Sequence, residues 1–298
     1  MANNQPMTIT FSTCWYIFKA KFDPSVYEGW IHNMLSNVNN YNLVVYCDTE
    51  GYKYIVPYLK NPRIMAIIKP YDRFSTYKYK QRWMKNHEEN VLLNQRTDWR
   101  LNMLWSEKQN FVKETMDEGY FSSRNRASES GVYGTYGEER SSEPYDSEWY
   151  GWCDIGYFRG RPNDSPTIDL TNWPSNDRIS SLDKNKIYYA CVNNNVEYVS
   201  QLARMVQDKN STGLPRFPIP DNQVSIAGGF FLGTRENLEW WHTTYYSVLK
   251  KYFENGRLVK DDQIIVADGI FSNLGRFAII KEGELHYDNW FLFQRFLS

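Results

Sequence analysis

The sequence predicts an α/β fold: a mixed, mostly parallel central sheet flanked by helices. Two observations predict it. In the first half, short apolar runs of strand length alternate with stretches whose apolar residues recur at helical spacing. The 298 residues, 42% of them hydrophobic, are enough for a substantial core, as one large domain or two small ones.

Each element follows from its local pattern. Ile9 to Phe18 reads as a first strand. Asp23-Pro24 then caps a helix with proline at its first position, and Tyr27, Trp30, Ile31, Met34 and Leu35 form its apolar stripe. Leu43 to Cys47 is a short strand ending at Asp48, Tyr52 to Leu59 a helix interrupted by Pro57, and Arg63 to Lys69 a third strand. Thr97 to Gly119 is the clearest helix, with Leu101, Leu104, Trp105, Phe111, Val112 and Met116 as its stripe. Lys108 falls on that apolar face, where it either snorkels to the surface or aims a cation at a ligand phosphate. Residues 122–148, rich in Ser, Gly, Glu and Arg, cannot bury enough apolar area to order themselves; they read as a mobile loop or insertion beside the next strand.

The second half continues the alternation. Trp149, Tyr150 and Trp152 lead an aromatic strand into Cys153-Asp154-Ile155-Gly156. Ile187 to Val192 is a strand, and Val196, Val199, Leu202, Ala203 and Val206 mark a helix. Val224 to Gly233 is a strand containing Gly228-Gly229. Leu238 to Tyr252 is a long helix, and Asp261-Asp262-Gln263 opens another, where carboxylates suit a helix N-terminus.

Composition narrows the function. A formal net charge of −1 gives no basic excess for a general nucleic-acid binder. No stretch approaches the ~18 apolar residues of a membrane span, and Met1 to Met7 lacks the apolar run of a signal peptide. Cys14, Cys47, Cys153 and Cys191 form no C-x-x-C pair and sit in apolar runs, which suits buried free thiols in a reducing, cytoplasmic setting. The 17% aromatic content, with 11 Trp and 23 Tyr, is mostly core material, although sugar sites also use aromatic faces. Phosphate-binding-loop, zinc-protease and serine-hydrolase signatures are all missing.

The Asp154 strand carries the chemistry. A buried strand that ends in one carboxylate followed by glycine suits holding a metal-bound diphosphate. Manganese or magnesium would bridge Asp154 and phosphate oxygens, with His286 as a second ligand or a packing residue. Departure of a nucleoside diphosphate requires charge neutralisation by a cation, by basic side chains, or by both.

In order and spacing, Leu104-Trp105-Ser106-Glu107-Lys108, Trp152-Cys153-Asp154-Ile155-Gly156, Ala227 to Gly233 and Asp261-Asp262-Gln263 resemble the GT-A fold (Rossmann-like) glycosyltransferases that use nucleotide sugars. Within them the chain looks most like the HtrL/YibB (WlaTC-like) family of bacteria and giant viruses, over Thr8 to Phe293. The resemblance implies a single GT-A-like domain over 1–298, in the cytoplasm (the host's, if viral). It implies transfer of a sugar, UDP being the usual nucleotide, to a glycan or other hydroxyl acceptor as in polysaccharide biosynthesis. Asp154 would be the first Asp of the Asp-x-Asp metal motif, and Gly156 stands where the second is usual. Thr13, Trp15 and Asp48 would lie against the nucleotide, and Lys108 would face the diphosphate or sugar. Gly228 and Gly229 would line the acceptor side, and Asp261 or Asp262 would act beneath the anomeric carbon or on acceptor hydroxyls. An inverting enzyme would use one of that pair as general base, whereas a retaining one would stabilise the oxocarbenium on the donor face. A non-catalytic carbohydrate- or nucleotide-binding protein on the same fold, motivated by Gly156, and a nucleotidyltransferase are the alternatives.

Overall fold

The computed structural model describes residues 9–122, 147–165, 170–282 and 287–298. Seven strands make one sheet: β1 (Ile9–Trp15), β2 (Asn42–Cys47), β3 (Ile64–Ile68), β4 (Trp149–Cys153), β5 (Ile187–Ala190), β6 (Phe230–Thr234) and β7 (Phe277–Ile280). Their order is β3-β2-β1-β4-β6-β5-β7. β1 pairs in parallel with β2 and with β4, β2 with β3, and β5 with β7; β6 is antiparallel to both its neighbours. The expected mixed, mostly parallel sheet is therefore present. The chain leaves β1 toward β2 and β3 on one side and enters β4 on the other, so the order reverses at β1/β4. A crevice opens at the carboxyl ends of strands at such a reversal.

The strands read as nearly continuous apolar runs because both faces are covered. Along β2, Leu43 and Val45 join one buried cluster while Val44 and Tyr46 join the other. Helices α1 (Pro24–Leu35) and α2 (Thr49–Ile55), with the C-terminal turn α10 (Phe293–Phe296), contribute to the first. Helices α3 (Lys80–Glu89), α4 (Trp99–Trp105), α5 (Lys108–Glu118), α7 (Val196–Gln207), α8 (Arg235–Glu254) and α9 (Asp262–Ser272) contribute to the second. The short α6 (Asn176–Ser180) packs Ile179 against the first cluster.

Several expectations are corrected. The single helix over Thr97–Gly119 is two, α4 and α5. The Tyr246 hydroxyl of α8 causes the break: it donates to Ser106 O (2.8 Å) and accepts from Asn110 N (3.1 Å). Those two groups would bond each other in a continuous helix, and an inserted side chain in the ladder bends it. The strand expected over Val224–Gly233 is reduced to β6, because the chain bends at Gly228-Gly229. Before the bend, Val192 N donates to Ser225 O and Ala227 N to Ala190 O, so this part pairs beyond the end of β5. Helix α3 gives no apolar stripe in the sequence because only Trp83 and Asn86 in it are buried. Of the loop expected over 122–148, residues 123–146 lie outside the described residues. Among the described residues no helix is long and apolar enough to cross a membrane. Cys14, Cys47, Cys153 and Cys191 are all free, three of them buried.

Candidate functional site

The crevice at β1/β4 is built by three separate stretches of sequence. β4 delivers Asp154 one residue past its end, and Asp154 N donates to Gly229 O (2.8 Å), which extends the β4–β6 ladder by one bond. The helix break places Lys108 at the first position of α5. The turn before α9 supplies Asp261 as N-cap and Asp262 as the first helical residue.

These pieces meet at the Lys108 ammonium. Nζ lies 2.8 Å from Gly228 O, 3.1 Å from Asp154 Oδ1 and 3.1 Å from Asp262 Oδ2. The Gly228 carbonyl accepts a hydrogen bond from the ammonium, and the two carboxylates flank it as ion-pair partners. Lys108 is buried and does not snorkel to the surface. Burial alone would lower its pKa, but the two carboxylates outweigh it and hold the ammonium above its ordinary value. Asp262 is pushed up to about 6, chiefly by burial; Lys108 opposes the shift, and Asp261 and Asp154 add to it. Asp154 is the exposed member, with 43% of its side chain accessible against 7% for Asp262. Its Oδ1 also accepts from Trp152 Nε1 at 2.6 Å.

Asp261 accepts from Gln263 N and pairs with Lys260 Nζ at 2.9 Å. It caps α9, while Asp262 faces the Lys108 ammonium. Three asparagines that sequence reasoning missed secure the chain entering this turn. Asn86 donates to Val259 O (2.7 Å) and accepts from Val259 N (2.7 Å). Asn102 donates to Val259 O and Lys260 O, and Asn90 to Lys260 O. Only Asn102 carried a signal in the sequence, as a polar residue among the apolar residues of α4; α3 shows no stripe that would expose Asn86, and Asn90 lies just past its end.

Two connected chambers open here. An aromatic one is lined by Trp15, Tyr16, Phe18, Leu101, Leu104 and Trp152, among others. One with more charged residues, of about 360 Å³ and called polar below, is lined by Lys21, Arg161, Gly228, Gly229, Asp261, Asp262, Asp288 and Phe291, among others. Phe22, Tyr27, Trp105, Lys108, Asp154, Gly156 and Arg159 line both.

The site residues read from sequence divide accordingly. Trp15, Lys108, Asp154, Gly156, Gly228, Gly229, Asp261 and Asp262 line the chambers. Thr13 is fully buried within β1 and lines neither chamber. Asp48 lines neither chamber and caps α2, accepting from Gly51 N at 2.6 Å. His286 lies outside the described residues. Side chains at Gly228 and Gly229 would crowd the carboxylates: a Cβ on Gly228 would meet Asp262 Oδ2 at 3.0 Å, and one on Gly229 would meet Asp154 Oδ2 at 3.1 Å. These glycines let two carboxylates reach the backbone.

Among the described residues, the surroundings of Asp154 and Gly156 do not fit the expected Mn²⁺ or Mg²⁺. Asp154 Oδ1 is already engaged by Trp152 and Lys108. A Cβ on Gly156 would lie 2.8 Å from Trp30 Cε3, so a second carboxylate cannot stand there without displacing the indole. No group of three or more His, Cys, Asp or Glu side chains disposed for a metal occurs among the described residues.

The arrangement nonetheless has the elements of acid–base chemistry: a buried carboxylate with a raised pKa, a second exposed carboxylate, and a fixed cation between them. Neither protein-family models nor curated proteins give a match to this chain.

Proposed function

We propose that this chain is a glycosyltransferase that moves a sugar from a nucleoside-diphosphate sugar to a hydroxyl acceptor on a GT-A-like domain. The observation that carries the reading is the Asp154–Lys108–Asp262 triad at the mouth of the β1/β4 crevice. It lies where an aromatic chamber joins a polar one. Ligands of open α/β sheets bind at such a reversal of strand order.

The aromatic chamber suits a nucleoside base, whose faces would pack against Trp15, Tyr16 and Tyr27. The polar chamber suits the diphosphate and sugar. Lys108 acts as the positioning residue, because its bonds hold Asp154, Asp262 and the Gly228 carbonyl in one geometry. Asp262 is the group placed to take a proton from an acceptor hydroxyl, since a base is most effective when its pKa is close to the working pH. Asp154, on the exposed side, is placed to orient hydroxyls of the donor sugar. Four free thiols are in keeping with a reducing, cytoplasmic compartment.

A nucleotide-sugar panel, UDP-linked donors first, tests the reading by release of the nucleoside diphosphate with water or simple glycans as acceptor. Release that is lost in Asp262→Asn while donor still binds supports the enzyme. Donor binding with no release by the wild type supports a non-catalytic binding protein, the reading that the closed Gly156 position favours.

A further inference from the structure

Two cations of the polar chamber are left unused by the triad. Arg159 stacks its guanidinium on Trp30 (4.3 Å to the ring centroid) and on Phe291 (4.7 Å). Its Nε donates to Gly156 O at 3.1 Å. Lys21 lies over Trp105 at 5.2 Å. Neither has a carboxylate within ion-pair range among the described residues. Arg161 differs: it holds Asp164 through Nε and Nη2, and also reaches Asp288.

The second observation is the seat of the Lys108 ammonium. Two carboxylate oxygens and one carbonyl oxygen surround Nζ at 2.8–3.1 Å. That is a hard-oxygen environment of the kind divalent cations take, already filled by a covalently tethered charge.

We propose that the cleft binds a nucleoside diphosphate without a divalent cation: Lys108 permanently fills the cation seat, and Arg159 with Lys21 receives the phosphate charge. The proposal rests on the nucleotide-sugar reading and names the groups that neutralise its diphosphate. A stacked guanidinium keeps its N–H edge available, and that edge matches two phosphate oxygens at once. Trp30 serves both halves of the argument. Its indole supports Arg159, and the same ring closes the position where a second acidic ligand would stand.

The test is calorimetric titration of the full chain with inorganic pyrophosphate and with UDP, ADP, GDP and CDP, in EDTA and then in manganese chloride. Binding of at least one nucleotide with equal affinity in both buffers is expected. Arg159→Gln should weaken it about tenfold or more in both, the loss of one charge-assisted phosphate contact, and Arg159→Lys should recover part of the loss. Mn²⁺ electron paramagnetic resonance on the wild type should show no protein-bound ion, while Lys108→Ala, if folded, should gain one. Nucleotide binding only with manganese, or a bound Mn²⁺ in the wild type, overturns the proposal and leaves the nucleotide reading intact. Metal-free binding that Arg159→Gln does not weaken overturns the assignment of Arg159. Pyrophosphate binding without any nucleotide binding overturns the nucleotide reading and keeps the metal-free anion site. Absence of both overturns the two together.

Discussion

Lys108 decides the energetics of the site because it is the shared partner of two carboxylates. Removing one member of a buried ion pair leaves an uncompensated charge and costs about 3–5 kcal/mol. Lys108→Ala should therefore lower unfolding free energy by about 3 kcal/mol in urea titrations, the lower end because Asp154 is part-exposed. Adding Asp262→Asn should recover part of that loss, and simple additivity of the two changes would show that the charges do not interact. Asp262 also sets a pH dependence. Its folded-state pKa is raised from 3.8 to about 6, so its contribution to stability is fully present below pH 3.8 and lost as pH rises through about 6. In the proposed transfer, action of Asp262 as a base would have the opposite sense, with an acid limb near pH 6 in the rate profile. Asp262→Asn should abolish the limb together with most of the turnover, whereas an unchanged profile would assign the proton transfer elsewhere. The residue types of this site were legible in the sequence: a carboxylate at a strand tip, a lysine on an apolar stripe, and an Asp pair at a helix start. Their convergence on one ammonium was not legible, because it depends on which strands neighbour β4.

At the scale of elements, the strands and the striped helices were readable because both of their periodicities report burial directly. The break between α4 and α5 was not, since its cause is a hydroxyl 140 residues away on α8. Tyr246→Phe should leave Ser106 O and Asn110 N without their bridge. A cost of about 1–3 kcal/mol follows for those buried groups, read by chemical denaturation, together with weaker donor binding as Lys108 shifts. Unchanged stability would mean that α4 and α5 bend without Tyr246. The β4–α1 packing gives a second test. Gly156→Ala pushes a methyl group into Trp30, and overpacking of this kind costs about 1–3 kcal/mol. Gly156→Asp should likewise destabilise the protein and confer no metal dependence on donor binding.

At the scale of the whole molecule, alternation of strands and helices was sufficient to predict a mostly parallel sheet, but not its order. The reversed strand β6 is a case in point: it reads like any other apolar run, and only the assembled sheet shows it wedged between β4 and β5. That order brings Gly229 beside Asp154 and thereby defines the cleft. A ligand that binds there stabilises the entire domain by mass action, about 2.7 kcal/mol at a hundredfold excess over Kd. A rise of about 5 °C in melting temperature is the expected readout for the correct nucleotide in EDTA. A rise that requires manganese would contradict the metal-free site.

The asparagine clasp formed by Asn86, Asn90 and Asn102 also has a mechanical consequence. It ties the Val259–Lys260 backbone, and hence the approach to Asp262, to a corner of the molecule where Val91 and Leu92 stand in solvent. Tugging on that corner would tilt Asp262 without touching the cleft. The Val259 amide, which donates to Asn86 Oδ1, should consequently exchange with deuterium slowly in the wild type and quickly in Asn86→Ala.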